Sequence, residues 1–226
     1  MQNKLKQKTI AIIPARGGSK RFPGKNIRLL NGLSLIVHSI NYAKANSGLI
    51  DNIIVSTDDE EIKQIALAEN VDVIDRPATI SDDHSTTLSA LKHVVDNLKE
   101  RVENIVLLQP TNPLRPKNLL RDAFQEFQTG EYESLMTVSS SHKKLGKIEE
   151  NRFSPFNYKI GQRSQDLEPL YFENGLLYII KADIIIEGRL LGDKNLPFII
   201  NHPYASVDID YQQDLEYAEF LMKKGE

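Results

Sequence analysis

The sequence predicts an α/β fold with a mostly parallel sheet covered by helices, and three observations point there. Short β-branched runs alternate with stretches whose apolar residues recur at helical spacing. A glycine-rich basic turn follows the first run, the place where open α/β sheets meet ligands. The chain has 226 residues, 40% hydrophobic and 26% charged, which suits one large core and is tight for two domains.

Taken in order, strands are expected at "TIAII" (Thr9 to Ile13), "NIIVS" (Asn52 to Ser56), "VDVI" (Val71 to Ile74), "NIVLL" (Asn104 to Leu108) and "SLMTV" (Ser134 to Val138). Helices are expected between them. Leu35 to Ala45 has helical apolar spacing, and "STDDEEIKQIALAEN" supplies a capping residue, early acids and Ile62, Ile65 and Ala66 on one face. "TTLSALKHVVDNLKE" and "PKNLLRDAFQEFQ" continue the alternation, with Pro116 suited to a first helical turn. After Val138 the pattern breaks into short pieces around Glu150 and Asn151, which reads as a hairpin and an irregular arm. Strands resume at "GLLYIIK" and "PFIIN", and "YQQDLEYAEFLMKK" closes the chain as an amphipathic helix, with Asp214 helping to begin it.

Composition narrows the function. The absence of cysteine excludes disulfides and thiolate chemistry and fits a reducing compartment, so a cytoplasmic location is expected. The basic start "MQNKLKQK" leads into an apolar run too short for a signal peptide, and Lys181 and Asp183 interrupt the most apolar stretch, so no membrane segment is expected. Net charge is only -3, which argues against a nucleic-acid partner. The distribution is uneven, however: the first fifty residues carry nine Lys or Arg and no acid, so an anion site built from the front of the chain is expected.

That front contains "IIPARGGSKRFPGKN". Gly17, Gly18 and Gly24 allow close backbone approach to an anion, and Arg16, Lys20, Arg21 and Lys25 are candidate charge partners, although four cations on one loop are not all expected to point inward. The P-loop pattern fails, because no glycine stands five before Gly24, and the dinucleotide fingerprint fails at Ser19. Far along the chain, "SVDIDYQQDLE" places Asp208 and Asp210 on one side of an extended backbone, an arrangement suited to Mg²⁺ beside substrate phosphates. Gln109 in "LLQPTNPLR" should emerge at the same sheet edge as Arg16, and Arg76 is available to a base or phosphate, while Arg115 reads as a surface residue near a helix start. The histidines show no zinc-site spacing, and no nucleophile elbow is present.

In this order, "IPARGGSKRFPGKN", "STDDEEI", "RPATISDDHSTT", "LLQPTNPLR", "FENGLLYI" and "VDIDYQQDLE" resemble the CMP-sialic acid synthetases, the acylneuraminate cytidylyltransferases, from about Ile10 to Leu221. The resemblance implies a Rossmann-like nucleotidyltransferase fold forming a single domain over 1–226, with 139–172 as an inserted hairpin and dimerisation arm. It implies a homodimer that uses CTP and Mg²⁺ to activate an acidic nine-carbon 2-keto sugar. CTP would lie on Ala15, Arg16, Gly17, Ser19, Lys25 and Asn26, with Arg16 and Lys25 on the phosphates and Asn26 near base or ribose. Arg76 and Ser85 match a second nucleotide-contacting segment. Gln109, Lys144 (or its neighbour Lys143), Arg163 and Tyr178 fall to the sugar acid, with Arg163 gripping its carboxylate. Asp208 and Asp210 fall to the metal, and with Arg16 and Lys25 they form the implied catalytic set. "FPGKN" and "FENGLLYI" favour N-acylneuraminate or legionaminate over Kdo-type and pseudaminic acids. A nucleotide-binding module without turnover is the reading from another class; it would be expected to lack Lys25, Asp208 or Asp210, and all three are present.

Overall fold

The structure, a computed structural model, describes residues 8–225. The basic start, read above as the lead-in to a strand, lies largely outside the described residues. In chain order the elements are β1 (Thr9–Pro14), β2 (Leu29–Leu30), β3 (Leu33–Ser34), α1 (Leu35–Ala45), β4 (Asn52–Thr57), α2 (Glu60–Ala68), β5 (Asp72–Asp75), α3 (Thr87–Asp96), β6 (Asn104–Leu107), α4 (Leu119–Thr129), β7 (Ser134–Ser141), β8 (Gly146–Glu149), β9 (Arg152–Pro155), β10 (Leu170–Lys181), α5 (Ala182–Ile186), β11 (Asn195–Ile199) and α6 (Gln212–Lys224).

Seven strands form the main sheet in the order β11-β7-β10-β6-β1-β4-β5, and every neighbouring pair is parallel except those of β10. This is the expected α/β class. Period-two alternation divides the core: Ala11 and Ile13 of β1 face α1, α2 and α4, whereas Ile10 and Ile12 face α3 and α5. Because β1 is followed by β4 on one side and lies against β6 on the other, the strand order reverses between β1 and β6. A crevice opens there at their carboxyl ends.

A third apolar cluster brings the two ends of the chain together. Phe22 and Leu30 from the opening segment pack with Val207, Ile209, Leu215 and Leu221 from the closing one. The hairpin β8/β9 stands apart as its own two-stranded sheet, turning through Glu150 and Asn151 at positive φ of 49° and 61°. Pro116, expected in a first helical turn, instead opens the turn before α4, with Leu119 N donating to its carbonyl at 3.0 Å. The elements that the sequence reading omitted, β2, β3 and α5, are two to five residues long, too short to show a period.

Candidate active site

The loop after β1 is shaped by its neighbours before it can bind anything. Ala15 is fully buried and donates its N–H to the Ser56 carbonyl at 2.9 Å. Gly17 donates to Asp58 Oδ1 at 3.1 Å, and a Cβ there would lie 2.5 Å from Asp59 Oδ2. Asp59 is not free to yield, because it caps α2 by accepting from Ile62 N at 3.0 Å. Gly17 is thus required for the loop to press against that helix start. Buried Asn26 ties the loop's two ends, donating from Nδ2 to the Arg16 carbonyl at 2.9 Å.

The crevice is a cleft of about 460 Å³, walled by Arg16, Ser19, Lys20, Arg21, Lys25 and Asn26 from this loop, Arg76 after β5, Asp83, Ser85 and Thr86 before α3, Gln109 and Thr111 after β6, and Asp210. All four loop cations touch the cleft wall, but the Lys20 and Arg21 side chains stay 83% and 66% exposed at its rim while Arg16 and Lys25 are drawn in, in keeping with the expectation that not all four point inward. Carboxylates from later in the chain are interleaved with them and relieve their repulsion. Asp83 takes Arg16 at 3.1 Å and also pairs with Lys20, while Asp210 takes Lys25 at 2.7 Å and Arg21 at 2.9 Å. Arg76 adds a fifth cation, buried and held by Ser56 Oγ at 3.1 Å; desolvation lowers its pKa. Five cations against two carboxylates leave the cleft positive and suited to a polyphosphate.

Asp210 lines the cleft and Asp208 lies beside it, close to Asp210 and Lys25, because Val207 and Ile209 take the opposite side of the chain. The latter pair is anchored in the third apolar cluster, and Ile209 N donates to the Thr111 carbonyl at 2.8 Å, so alternation turns both aspartates the other way. Asp214 at the start of α6 accepts from Asp210 N at 2.9 Å and Tyr211 N at 2.8 Å, fixing the segment. The two carboxyls differ. Asp208 reaches solvent, yet desolvation on its inner side and then Asp210 raise its pKa against a hydrogen bond from Thr111. Asp210 is held below the usual range, chiefly by Lys25. Among the described residues no cluster of three ligating side chains occurs. A pair of carboxylates at a cation-rich cleft fits Mg²⁺, which takes one or two protein carboxylates and completes its shell with phosphates and water.

Of the expected sugar contacts, Lys144 and Arg163 lie on the arm, and Tyr178 lies near Asp208 but does not line the cleft. Lys144 bonds the Gln162 carbonyl on the arm, and Arg163 forms a fork with Asp166 at 2.8 and 2.9 Å. Tyr178 is buried in β10, its hydroxyl donating to Glu173; desolvation first, and Glu173 next, raise its pKa. Lys143 also sits on the arm, its carbonyl accepting from Asn157 Nδ2 at 2.9 Å.

Sequence reasoning missed what holds the loop after β6. Arg115 is buried, not at the surface: it donates to the carbonyls of Leu176 at 2.6 Å and Gln109 at 2.9 Å and to Ser39 Oγ at 3.2 Å. Burial pulls its pKa down to about 10, so it stays charged. Asn112 donates to the carbonyls of Val207 at 2.8 Å and Asn174 at 3.2 Å, joining this loop to the aspartate segment. Between two prolines, "TNPLRP" offered a signal only in that such a stiff loop needs polar side chains to satisfy its neighbours.

The same architecture occurs in a solved CMP:2-keto-3-deoxy-manno-octonic acid synthetase complexed with CTP, at a TM-score of 0.72 and 18% identity, covering 96% of this chain and 99% of that one. Among sequence relatives, a CMP-N,N'-diacetyllegionaminic acid synthase from Legionella pneumophila is 35% identical, covering 95% of this chain and 96% of its own. A pseudaminic acid cytidylyltransferase from Campylobacter jejuni is 33% identical, covering 96% and 97%. An N-acylneuraminate cytidylyltransferase from Streptococcus agalactiae is 32% identical over 92% of this chain, which spans about half (51%) of that longer protein. The cytidylyltransferase family model covers residues 10–224, taking in both the cationic loop and the paired aspartates whose convergence builds the cleft. The chain therefore belongs to the cytidylyltransferase family.

Proposed function

We propose that the chain transfers CMP from CTP to the anomeric hydroxyl of a nine-carbon 2-keto sugar acid, an N-acylneuraminate or legionaminate, releasing pyrophosphate. The observation that carries this reading is the convergence of five cations and Asp210 at one cleft, with Asp208 next to Asp210 and Lys25 at its side. In-line displacement at the α-phosphorus concentrates charge on phosphoryl oxygens, so positioned cations do most of the catalysis. Arg16 and Lys25 take the phosphates, Arg76 and Ser85 hold the nucleotide from the opposite wall, and Gln109 orients the sugar. Asp208 and Asp210 would hold Mg²⁺, which would supply Lewis-acid polarisation of the phosphoryl oxygens and ease ionisation of the attacking hydroxyl. The acceptor class draws on the relatives, whose names include legionaminic, pseudaminic and neuraminic acids.

A pyrophosphate-release screen tests it, crossing CTP, UTP, ATP and GTP with neuraminic, legionaminic, pseudaminic and Kdo acids. Release is expected with CTP and with neuraminic or legionaminic acid. Release only with pseudaminic or Kdo acid would move the acceptor, and release with none would return the chain to the non-catalytic class.

A cytoplasmic homodimer completes the proposal. Its support is the arm, where Ile148, Phe156 and Ile160 are 77%, 67% and 77% exposed, an apolar surface that a lone chain rarely leaves in water. Lys144 and Arg163 belong to the same arm, so dimerisation is their route to a sugar bound in the other subunit's cleft. Light scattering should read twice the 25.6 kDa chain mass, and a monomer at micromolar concentration would refute the dimer.

A further inference from the structure

We infer that Asp83 is the counter-ion that the triphosphate of CTP must displace, and that it thereby sets the affinity of the cleft for polyphosphates. This rests on the CTP reading and adds a residue with an opposing role. Asp83 binds two of the cations that would hold phosphate, Arg16 Nη2 at 3.1 Å and Lys20 Nζ, and among the described residues their ion pairs run only to Asp83. Lys20 keeps its carboxyl ionised by lowering its pKa.

The turn that delivers Asp83 is built in advance. Asp82 Oδ1 accepts from His84 N at 3.0 Å and Ser85 Oγ at 2.6 Å, and the Asp82 carbonyl accepts from the Arg16 guanidinium. The carboxylate is therefore presented to the cations by a fixed loop. Its side chain and that of Arg16 are each about one-third exposed, at 33% and 32%, so an incoming anion can reach and replace the pair. Asp210 occupies the other half of the cleft with Lys25 and Arg21, but its place beside Asp208 gives it a second task. The carboxylate beside Asp83, that of Asp82, is instead occupied in the turn by His84 N and Ser85 Oγ. A polyphosphate brings several charges and many acceptor oxygens against the single charge of Asp83, so it can take both cations together; once pyrophosphate leaves, Asp83 can close on the cations again.

Titration calorimetry at low salt tests this with inorganic pyrophosphate and CTP against wild type, Asp83→Asn and Asp83→Glu, with melting curves to confirm folding. Asp83→Asn should bind both anions about three- to tenfold more tightly, as expected for the loss of exposed competing ion pairs. Asp83→Glu should stay near wild type, and the gap should narrow as salt is added. Equal or weaker binding by a folded Asp83→Asn overturns the inference. Because few active-site losses tighten binding, a merely structural role would not mimic the expected result. Wild type that binds pyrophosphate but not CTP would sink the CTP reading while leaving the Asp83 comparison intact. CTP binding that is unaffected in Asp83→Asn would sink the Asp83 role alone.

Discussion

Asp208→Ala should lower turnover by about 10²- to 10³-fold while leaving the chain at least as stable as wild type at pH 7. The two halves of this result have one cause. Desolvation and Asp210 raise the folded-state pKa of Asp208 above its unfolded value. Its favourable contribution to folding is therefore present below the unfolded pKa and lost as pH rises through the folded one, so at pH 7 the charged carboxyl is a net burden. Removing it relieves the burden and removes half of the carboxylate pair proposed to hold Mg²⁺. Asp210 has the opposite sign: Lys25 depresses its pKa, so its contribution is present above the unfolded value and is lost only as pH falls through the folded one. Steady-state kcat together with thermal melting separates the two residues. If Asp208→Ala lost stability and kept turnover, Asp208 would be scaffold rather than part of the chemistry.

Arg115→Ala should cost about 3 kcal/mol of stability, because it strands the carbonyls of Leu176 and Gln109 and the hydroxyl of Ser39 without their donor. For a chain of this size that is a fall of about 6–12 °C in melting temperature. The damage is not confined to folding, since Gln109 lines the cleft and its carbonyl is one of the stranded acceptors. Arg115→Lys should recover only part of the loss, because one ammonium cannot span three acceptors arranged around a planar fork. Chemical denaturation measures the effect, and a change below about 1 kcal/mol for Arg115→Ala would show that the loop is held by its prolines instead.

The contrast between Asp208 and Arg115 shows which parts of the site the sequence could reveal. Asp208 was legible because alternation is local: "VDID" contains both the anchoring residues and the exposed pair, and any extended backbone separates them. Arg16 and Lys25 were legible for the same reason, as a cationic glycine-rich turn directly after a β-branched run. Arg115 was not, because its burial depends on Ser39 of α1 and Leu176 of β10, which meet it only after the sheet has assembled. The ion pairs that Lys20 and Arg21 make at the cleft rim were hidden likewise, since their acids, Asp83 and Asp210, lie about 60 and 190 residues further on. Long strands and helices showed their periods, and two-residue strands had none to show. Lys144 and Arg163 mark a different limit: their partners, the Gln162 carbonyl and the Asp166 carboxylate, lie on the arm itself rather than among the residues that line the cleft.

The central claim is that CMP moves intact from CTP to a sugar acid. The direct measurement is to incubate the enzyme with Mg²⁺, legionaminic or N-acetylneuraminic acid and CTP labelled at the α-phosphorus, and to follow the label. It should appear in a CMP-sugar with one equivalent of pyrophosphate released, and Asp208→Ala should slow that transfer by about 10²- to 10³-fold. Label recovered as free CMP at the same rate with and without the sugar acid would contradict the account.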